Sequence, residues 1–317
     1  MDNLPLVSVL IPAYNHDKYV ADTIYSIINQ TYKNIEIILI DDCSSDNSKA
    51  VIEPFLSANV KYICEPKNHG GPAGPRNTGI KQSSGELIMM FDSDDIMLPG
   101  KVEKSVSCMV SNTNVGLLCT GFQSIDNNNQ LLNENYLSEY QQFRAVFVPV
   151  PVPVPVPANS RANRIESTKA YNELFYSNFV GTSSVVIPKA VFEDVGYFDD
   201  SLTNGDDRDM WYRIAKKYDF VFIDEILHQY RINEGGISAR GGGNAKNRIK
   251  VLEKQNTPDL SLSLKEQLNK LLSVNFMALA RYNIDTKNSV DARKHILKSW
   301  SLKPSVSALK LFIKSFL

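Results

Sequence analysis

Residues Leu87 to Gly100 read LIMMFDSDDIMLPG, five apolar side chains running straight into Asp92, Ser93, Asp94 and Asp95. Three carboxylates within four residues repel one another and are costly to take out of water. If the apolar run is a buried strand, Asp92 and Asp94 stand two residues apart and point the same way where it ends. Hard carboxylate oxygens at that spacing suit Mg²⁺ or Mn²⁺, above all when a phosphate completes the coordination. A plainer reading stands beside this one: Asp95 caps a helix beginning near Ile96, and the other carboxylates are solvated. A DxD triplet alone matches by chance.

Haloacid-dehalogenase-type phosphatases also place DxDx[TV] after an apolar strand, with the first Asp as nucleophile. Here Ile96 occupies the Thr/Val position, and three strand-like runs precede the motif instead of following it. That enzyme class is the alternative reading of this segment.

Three further groupings carry chemistry. In ILIDDCSSDNS, Asp41 and Asp42 close an apolar run, and one of them needs no explanation beyond a helix N-cap. The other carboxylate of the pair can accept the imide N3–H of uracil. Tyr14, after the first apolar run, can offer its ring to the same base, or be an ordinary half-buried tyrosine. In HGGPAGPRN the glycines allow close backbone approach and Arg76 offers a fork that matches phosphate. No GK[ST] follows, so this is not a Walker loop, and a flexible surface loop with a solvated Arg76 has the same sequence signature. In NGDDRDMWYR, Asp206, Asp207 and Asp209 stand in the first turn of a helix, where the dipole favours acids. A carboxylate there in a partly apolar pocket can also serve as a general base.

The elements that must position these groups are legible as periods. Val7 to Ile11 is a short β-branched strand. Val20, Ile24, Ile27 and Ile28 then fall on one helical stripe. Asn34 to Ile40 is an almost continuous apolar run, the mark of a strand covered on both faces and hence of a parallel sheet. SSDNSKAVIEPF opens a helix, Val60 to Cys64 is a third strand, and a Gly/Pro-rich loop leads through a short helix to the fourth strand, Leu87 to Phe91. Strand and helix alternating in this way predict an α/β, doubly wound fold. In such sheets ligands bind at the carboxyl ends of the strands. Pro12–Asn15, Asp41–Asp42 and Asp92–Asp95 should therefore converge on one edge.

The second half is less regular. VGLLCTGF, FVGTSSVVIP and FVFID read as strands, KAVFEDVG and DDRDMWYRIAKKY as helices. Between them, Phe147 to Asn163 is a Val-Pro repeat. Proline at every second position removes every second donor, so this is no central strand, and polyproline II is its expected form, as a lengthened loop or a partner-docking segment. From Gly235, GGISARGGGNAKN reads as a mobile segment. A helical tail follows, with capping-box spacing at Ser263 and Glu266. At its end, Val306, Leu309, Phe312, Ile313 and Phe316 share a stripe flanked by Lys310 and Lys314. The stripe reads either as a helix lying on a membrane surface or as one packing against the catalytic domain.

Bulk properties narrow the classes. The chain has 317 residues and a formal net charge of −1, which gives no electrostatic case for nucleic acid. Its four cysteines, Cys43, Cys64, Cys108 and Cys119, form no metal-binding spacing and suit a reducing cytoplasm. No signal peptide and no run long enough to span a membrane is read in the sequence.

In order, VSVLIPAYN, IILIDDCSSDNS, NHGGPAGPRNTGI, GELIMMFDSDDIMLP, GTSSVVIPKAVFEDVGYFD, GDDRDMWYR and LHQYR resemble the inverting family 2 glycosyltransferases of bacterial cell-surface glycan synthesis, over roughly residues 5 to 235. The resemblance implies a GT-A fold, a Rossmann-like mixed sheet, as a catalytic domain over residues 1–235 with the Val-Pro insertion at about 147–163. Residues 236–317 form a C-terminal helical region. It implies a hexosyltransferase that uses Mn²⁺ or Mg²⁺ to move a sugar from a nucleotide-sugar, a UDP-sugar first among them, to a hydroxyl of a glycan or lipid-linked acceptor. Pro12 and Tyr14 then match positions lining the uridine pocket, and Asp42 the carboxylate contacting the base. Asp92 matches a residue near ribose and metal, Asp94 the principal metal ligand, and Asp207 the catalytic base; Arg76 would assist the leaving diphosphate. The implied place of work is the cytoplasm, at the inner face of the plasma membrane.

The loop NHGGPAGPRN also looks like that of wall teichoic acid glycosyltransferases. Three features depart from the family. Asn233 stands where it often has His, Asp206 replaces Glu, and the Val-Pro repeat has no counterpart. A nucleotide-sugar-binding protein without catalysis is the reading from another class; the presence of both Asp94 and Asp207 argues against it.

Overall fold

The computed structural model describes residues 4–112, 114–138, 148–150, 162–233 and 241–316. The chain forms two compact units: Met1–Asp200 with Met210–Asn233, and Ser201–Asp209 with Glu234–Leu317.

The first unit opens with β1 (Val7–Ala13), α1 (Val20–Ile28), β2 (Ile35–Asp41), α2 (Ser48–Ile52), β3 (Val60–Cys64), α3 (Ala73–Gln82) and β4 (Leu87–Met90). These four strands lie parallel in the order β3-β2-β1-β4, with Leu10 opposite both Ile38 and Met90. β1, β2 and β4 are covered on both faces, which is why their apolar runs do not alternate, whereas β3, at the end of the sheet, leaves Lys61 and Cys64 exposed. Val9, Ile11, Leu39 and Met89 share one core with Val20, Ile24 and Ile27 of α1. On α3, Gly79 lets the helix approach closely: a Cβ there would lie 2.8 Å from Ile40 Cδ1 and 3.1 Å from Leu10 Cδ1.

The chain continues through β5 (Ile96–Met97), α4 (Lys101–Val110), β6 (Val115–Ile125), β7 (Leu131–Asn133), β8 (Val148–Val150), β9 (Ala162–Ile165) and α5 (Ser167–Glu173). It then forms β10 (Val186–Pro188), α6 (Lys189–Val195), α7 (Asp206–Ala215), whose first turn falls in the second unit, and β11 (Asp219–Arg231). The sheet runs β3-β2-β1-β4-β10-β6-β11-β9-β8, with β5 on β11 and β7 on β6. β10 is antiparallel to both neighbours, while β11 is parallel to β6 and antiparallel to β5 and β9, so the sheet is mixed.

Several expectations change here. No helix begins near Ile96. Ile96 and Met97 pair with Gln229 and His228 of β11, and α4 starts at Lys101. Asp95 is accordingly no cap: it is fully buried, and its Oδ1 accepts the Arg231 N–H at 2.9 Å. The strand expected over FVGTSSVVIP shrinks to Val186–Pro188, because Thr182–Ser184 forms a 3₁₀ turn whose groups serve other elements. Ser183 Oγ accepts from Asp92 N at 3.0 Å, and Ser184 O accepts from Lys101 Nζ at 3.1 Å. The polyproline II reading fails at Val148–Val150, which pairs antiparallel with β9, Pro149 opposite Asn163. Its place at the end of the sheet suits proline, which has no N–H to donate to a further strand. Residues 147 and 151–161 of the repeat lie outside the described residues.

The second unit holds α8 (Gly241–Glu253), α9 (Leu262–Asp285), α10 (Ser289–Leu302) and α11 (Val306–Lys314). Residues 234–240 of the expected mobile segment lie outside the described residues, but Gly241 to Asn247 is helical despite its glycines. Side-chain anchoring overrides propensity there: Asn247 Nδ2 donates to Thr203 Oγ1 at 2.8 Å, and Ile249, Val251 and Leu252 are buried. The cap of α9 is Ser261, accepting from Leu264 N at 3.4 Å, and not Ser263. Met277, Ala280, Ile296 and Ala308 make a small core, against which Leu311 and Phe312 pack. The terminal stripe therefore divides: Phe312 turns inward, while Val306, Leu309, Ile313 and Phe316 are exposed. Among the described residues no helix is long and apolar enough to cross a membrane.

Candidate active site

The loops after β1 and β2 are stitched together before any ligand is considered. Asp42 N donates to Ala13 O at 2.9 Å, Asn15 N to Ser44 Oγ at 2.9 Å, and Asp17 N to Asp46 Oδ2 at 3.0 Å. Asn15 and Cys43 take left-handed backbone, φ 55° and 63°, which turns the chain at both strand ends. Pro12 is half-buried near the end of β1, and Tyr14, just beyond it, is 45% exposed, its ring available at the surface.

The two carboxylates closing β2 have different fates. Asp41 is bound to the protein, accepting from Tyr62 Oη at 2.5 Å and Ser44 N at 2.8 Å. Tyr62 is pushed above its ordinary range by burial and by that hydrogen bond, so it donates and does not ionise. Asp42 meets His69. Both its oxygens accept the His69 N–H at 3.0 Å, and Nδ1 of the ring lies 2.6 Å from Oδ1. An ionised carboxylate has about four acceptor directions, so Asp42 keeps capacity for one more donor.

Arg76 is not a solvated loop residue. It sits in the first turn of α3, 4% exposed, with Nη2 donating to Asp92 Oδ1 at 3.1 Å and its guanidinium 5.5 Å from the Phe198 ring centre. Beside Asp92 stands Asp94. Burial, and then the charge of Asp92, raises the Asp94 carboxyl above its ordinary range, opposed by His16 and Arg231. His16 Nδ1 is 2.6 Å from Ser93 Oγ. Asp95 is raised further by burial and by both neighbouring acids. The turn carrying these acids is held from outside: Arg231 Nε donates to Asp94 O at 2.8 Å, Nη1 to Asp126 O and Nη2 to Asn129 Oδ1, both at 2.7 Å, and the guanidinium lies 4.6 Å over the Tyr19 ring. Among the described residues no group of three or more His, Cys, Asp and Glu converges as a metal cage. Asp92 and Asp94 can supply two hard oxygens, and the rest of an octahedral shell would have to come from ligand and water.

Asp207 lies in the second unit, in the first turn of α7. Its Oδ1 accepts from Arg208 N at 2.6 Å, and it is half-buried. Its neighbours are less available: Asp206 is buried, and Asp209, 1% exposed, pairs with Lys254 at 2.8 Å. The first unit thus gathers Pro12, Tyr14, Asp42, Arg76, Asp92 and Asp94 at the carboxyl ends of β1, β2 and β4, and Asp207 belongs to the other.

The family model described as Glycosyl transferase family 2 matches residues 8–169, half of the chain. The chain belongs to this family. The match spans β1 to β4 and the acidic turn, so the phosphatase reading of DSDDI is overturned. The family 2 chain is 28% identical over 252 residues to the UDP-Glc:alpha-D-GlcNAc-diphosphoundecaprenol beta-1,3-glucosyltransferase WfgD of Escherichia coli, covering 79% of this chain and 83% of WfgD. It spans 65% and 64% of the length of two other curated relatives. S. aureus TarS 1-349, solved in complex with UDP-GlcNAc, superposes with a TM-score of 0.61 at 18% identity, covering 98% of this chain and 79% of that one. The mannosyltransferase PcManGT of Pyrobaculum calidifontis, solved with GDP-Man and Mn²⁺, gives 0.61 at 16% identity, covering 99% and 80%. These likenesses show the fold, α/β of GT-A type with a mixed sheet and C-terminal helices.

Sequence reasoning passed over His16, His69 and Arg231 in this family 2 chain. Arg231 and His69 stand in the motifs LHQYR and NHGGPAGPRN, but nothing local says that one reaches the acidic turn and the other Asp42. His16 carried no signal at all.

Proposed function

We propose that this chain is an inverting, metal-dependent glycosyltransferase that moves a sugar from a UDP-sugar to a hydroxyl of a glycan or lipid-linked acceptor in cell-surface polysaccharide synthesis, working in the cytoplasm at the inner face of the membrane. The observation that carries the reading is the half-buried pair Asp92 and Asp94 at the carboxyl edge of parallel strands, with Arg76 against Asp92. A carboxyl raised by burial and by a second acid is one that a cation would relieve, so the donor set fits a hard divalent ion. Asp94 and Asp92 would hold Mn²⁺ or Mg²⁺ together with donor phosphate oxygens, and the ion would offset charge on the leaving diphosphate.

The chain's own residues do the rest. Tyr14 and Pro12 bound the base, and Asp42 takes its imide N–H with the one direction that His69 leaves open. Arg76 adds fixed positive charge near the diphosphate. Asp207 accepts the proton of the acceptor hydroxyl as its oxygen bonds to the anomeric carbon and the bond to the diphosphate breaks on the opposite face. WfgD is named for UDP-Glc, and TarS and PcManGT were solved with UDP-GlcNAc and GDP-Man; nucleotide-sugars in each case support this choice of substrate class.

The experiment is a hydrolysis and transfer assay across UDP-, GDP- and dTDP-sugars with and without EDTA. Turnover of a UDP-sugar that EDTA abolishes and Mn²⁺ or Mg²⁺ restores, and that Asp94→Ala removes in a folded protein, is expected. Donor binding without turnover on any donor, or full activity in EDTA, would sink the proposal.

A further inference from the structure

Charge is divided unevenly along this chain. Residues 241–317 hold 14 Lys and Arg against 5 Asp and Glu, a net +9, while the chain as a whole is −1. The helices α8 to α11 are therefore strongly basic and residues 1–240 strongly acidic, at −10. A field of that size on so few residues draws the unit towards anionic surfaces and makes two copies of it repel.

The same unit exposes an apolar stripe. Val306, Leu309, Ile313 and Phe316 recur at i, i+3, i+7 and i+10 along α11 and the turn after it, and are 69%, 49%, 60% and 65% exposed. Spaced so, they cover an arc of less than a third of the helix. The opposite arc is already occupied: Ala308 and Ser315 are buried, and Leu311 packs on the small core. The stripe is thus no misplaced core face, since α11 has a core face of its own. Its far end is held in place, with Arg293 Nη1 donating to Ser315 O at 3.1 Å and the guanidinium 4.6 Å over the Phe316 ring. Exposed Lys310 follows Leu309 directly, and Lys294, Lys298 and Lys303 on and after α10 are exposed too.

We infer that the helical unit seats this protein on an anionic phospholipid bilayer, with α11 in the interface and Val306, Leu309, Ile313 and Phe316 entering it. Nine residues are far too few to span a bilayer. They suffice to lay an apolar face at the acyl boundary while lysines stay among the headgroups. A second copy of the chain would bury the stripe equally well, but it would bring one strongly basic helical segment against another. The inference goes beyond sugar transfer and stands apart from it, because vesicle binding needs neither donor nor acceptor.

The test is co-sedimentation of the full chain with phosphatidylcholine vesicles, with and without phosphatidylglycerol. Binding to the anionic vesicles should exceed binding to neutral ones by about tenfold or more and weaken as salt rises. Leu309→Gln with Ile313→Gln should lower it by about tenfold, at unchanged melting temperature, by removing two inserted side chains. Lys298→Glu, Lys303→Glu and Lys310→Glu together, which leave the stripe intact, should abolish the preference for phosphatidylglycerol. Equal binding by wild type and the Gln variant, or no preference for anionic lipid, would overturn the inference. So would light scattering that shows a dimer which the Gln variant turns into monomer.

Discussion

Replacing Lys101 by methionine should stabilise the protein near neutral pH and destabilise it in alkali. Lys101 is fully buried, with Nζ donating to Thr120 Oγ1 at 3.2 Å and to Ser184 O at 3.1 Å, and it makes no ion pair among the described residues. Burial pushes its ammonium down from the ordinary 10.5 to about 7. The folded protein therefore releases this proton near pH 7, while the unfolded chain keeps it to about 10.4. Between those values the unfolded state binds more protons, so stability rises with pH; below about 7 the full cost of the buried charge is present. A fall from 10.5 to about 7 corresponds to about 5 kcal/mol. Methionine, similar in length and uncharged, removes that cost but leaves two buried oxygens without their donor, at roughly 1–2 kcal/mol each. The variant should thus be more stable by about 2 kcal/mol at pH 6 and less stable by a similar amount at pH 10. Relief also reaches His228, whose imidazole burial and the Lys101 charge together hold well below its usual range. Urea unfolding of both proteins at several pH values measures the difference directly, and titrations common to both cancel. A difference that stays constant across the range would refute the reasoning, since it would mean that Lys101 does not change its charge on unfolding in this window.

Three further outcomes are expected. Asp207→Asn should lower turnover by roughly a hundredfold or more with donor affinity unchanged; an unchanged rate in a single-turnover assay would move the base to Asp206 or to Asp209, which must first leave Lys254. Arg231→Gln should cost about 3 kcal/mol or more in thermal unfolding, because it frees the Asp94, Asp126 and Asn129 oxygens at once, and Arg231→Lys should rescue only part, lacking the planar fork. Ser261→Ala should cost about 1 kcal/mol while Ser263→Ala costs nothing measurable, as urea midpoints would show; the reverse order would return the cap of α9 to Ser263.

Wherever one element reports its own burial, the sequence alone was sufficient. β1, β2 and β4 are largely apolar because both faces of a central parallel strand are covered, the buried Ser8 of β1 donating to Glu36 of β2, and the stripe Val20, Ile24 and Ile27 marks the face that α1 buries. From those strand ends the meeting of Pro12, Tyr14, Asp42, Asp92 and Asp94 at one edge follows by topology. Tertiary structure decided whatever depends on partners distant in the chain. Asp95 looks like a helix cap until Arg231, 136 residues on, donates its N–H to it and β11 turns Ile96 and Met97 into a strand. Arg76 looks like a loop cation until Asp92 and Phe198 bury it. The glycines of α8 look mobile until Asn247 reaches Thr203, and Phe312 looks like its stripe-mates until Met277 and Ile296 supply it with a core. A local pattern records how much of a residue is covered. Which donor meets which acceptor is set by chain segments that no window of sequence contains, and that pairing selects between readings a local pattern leaves equal.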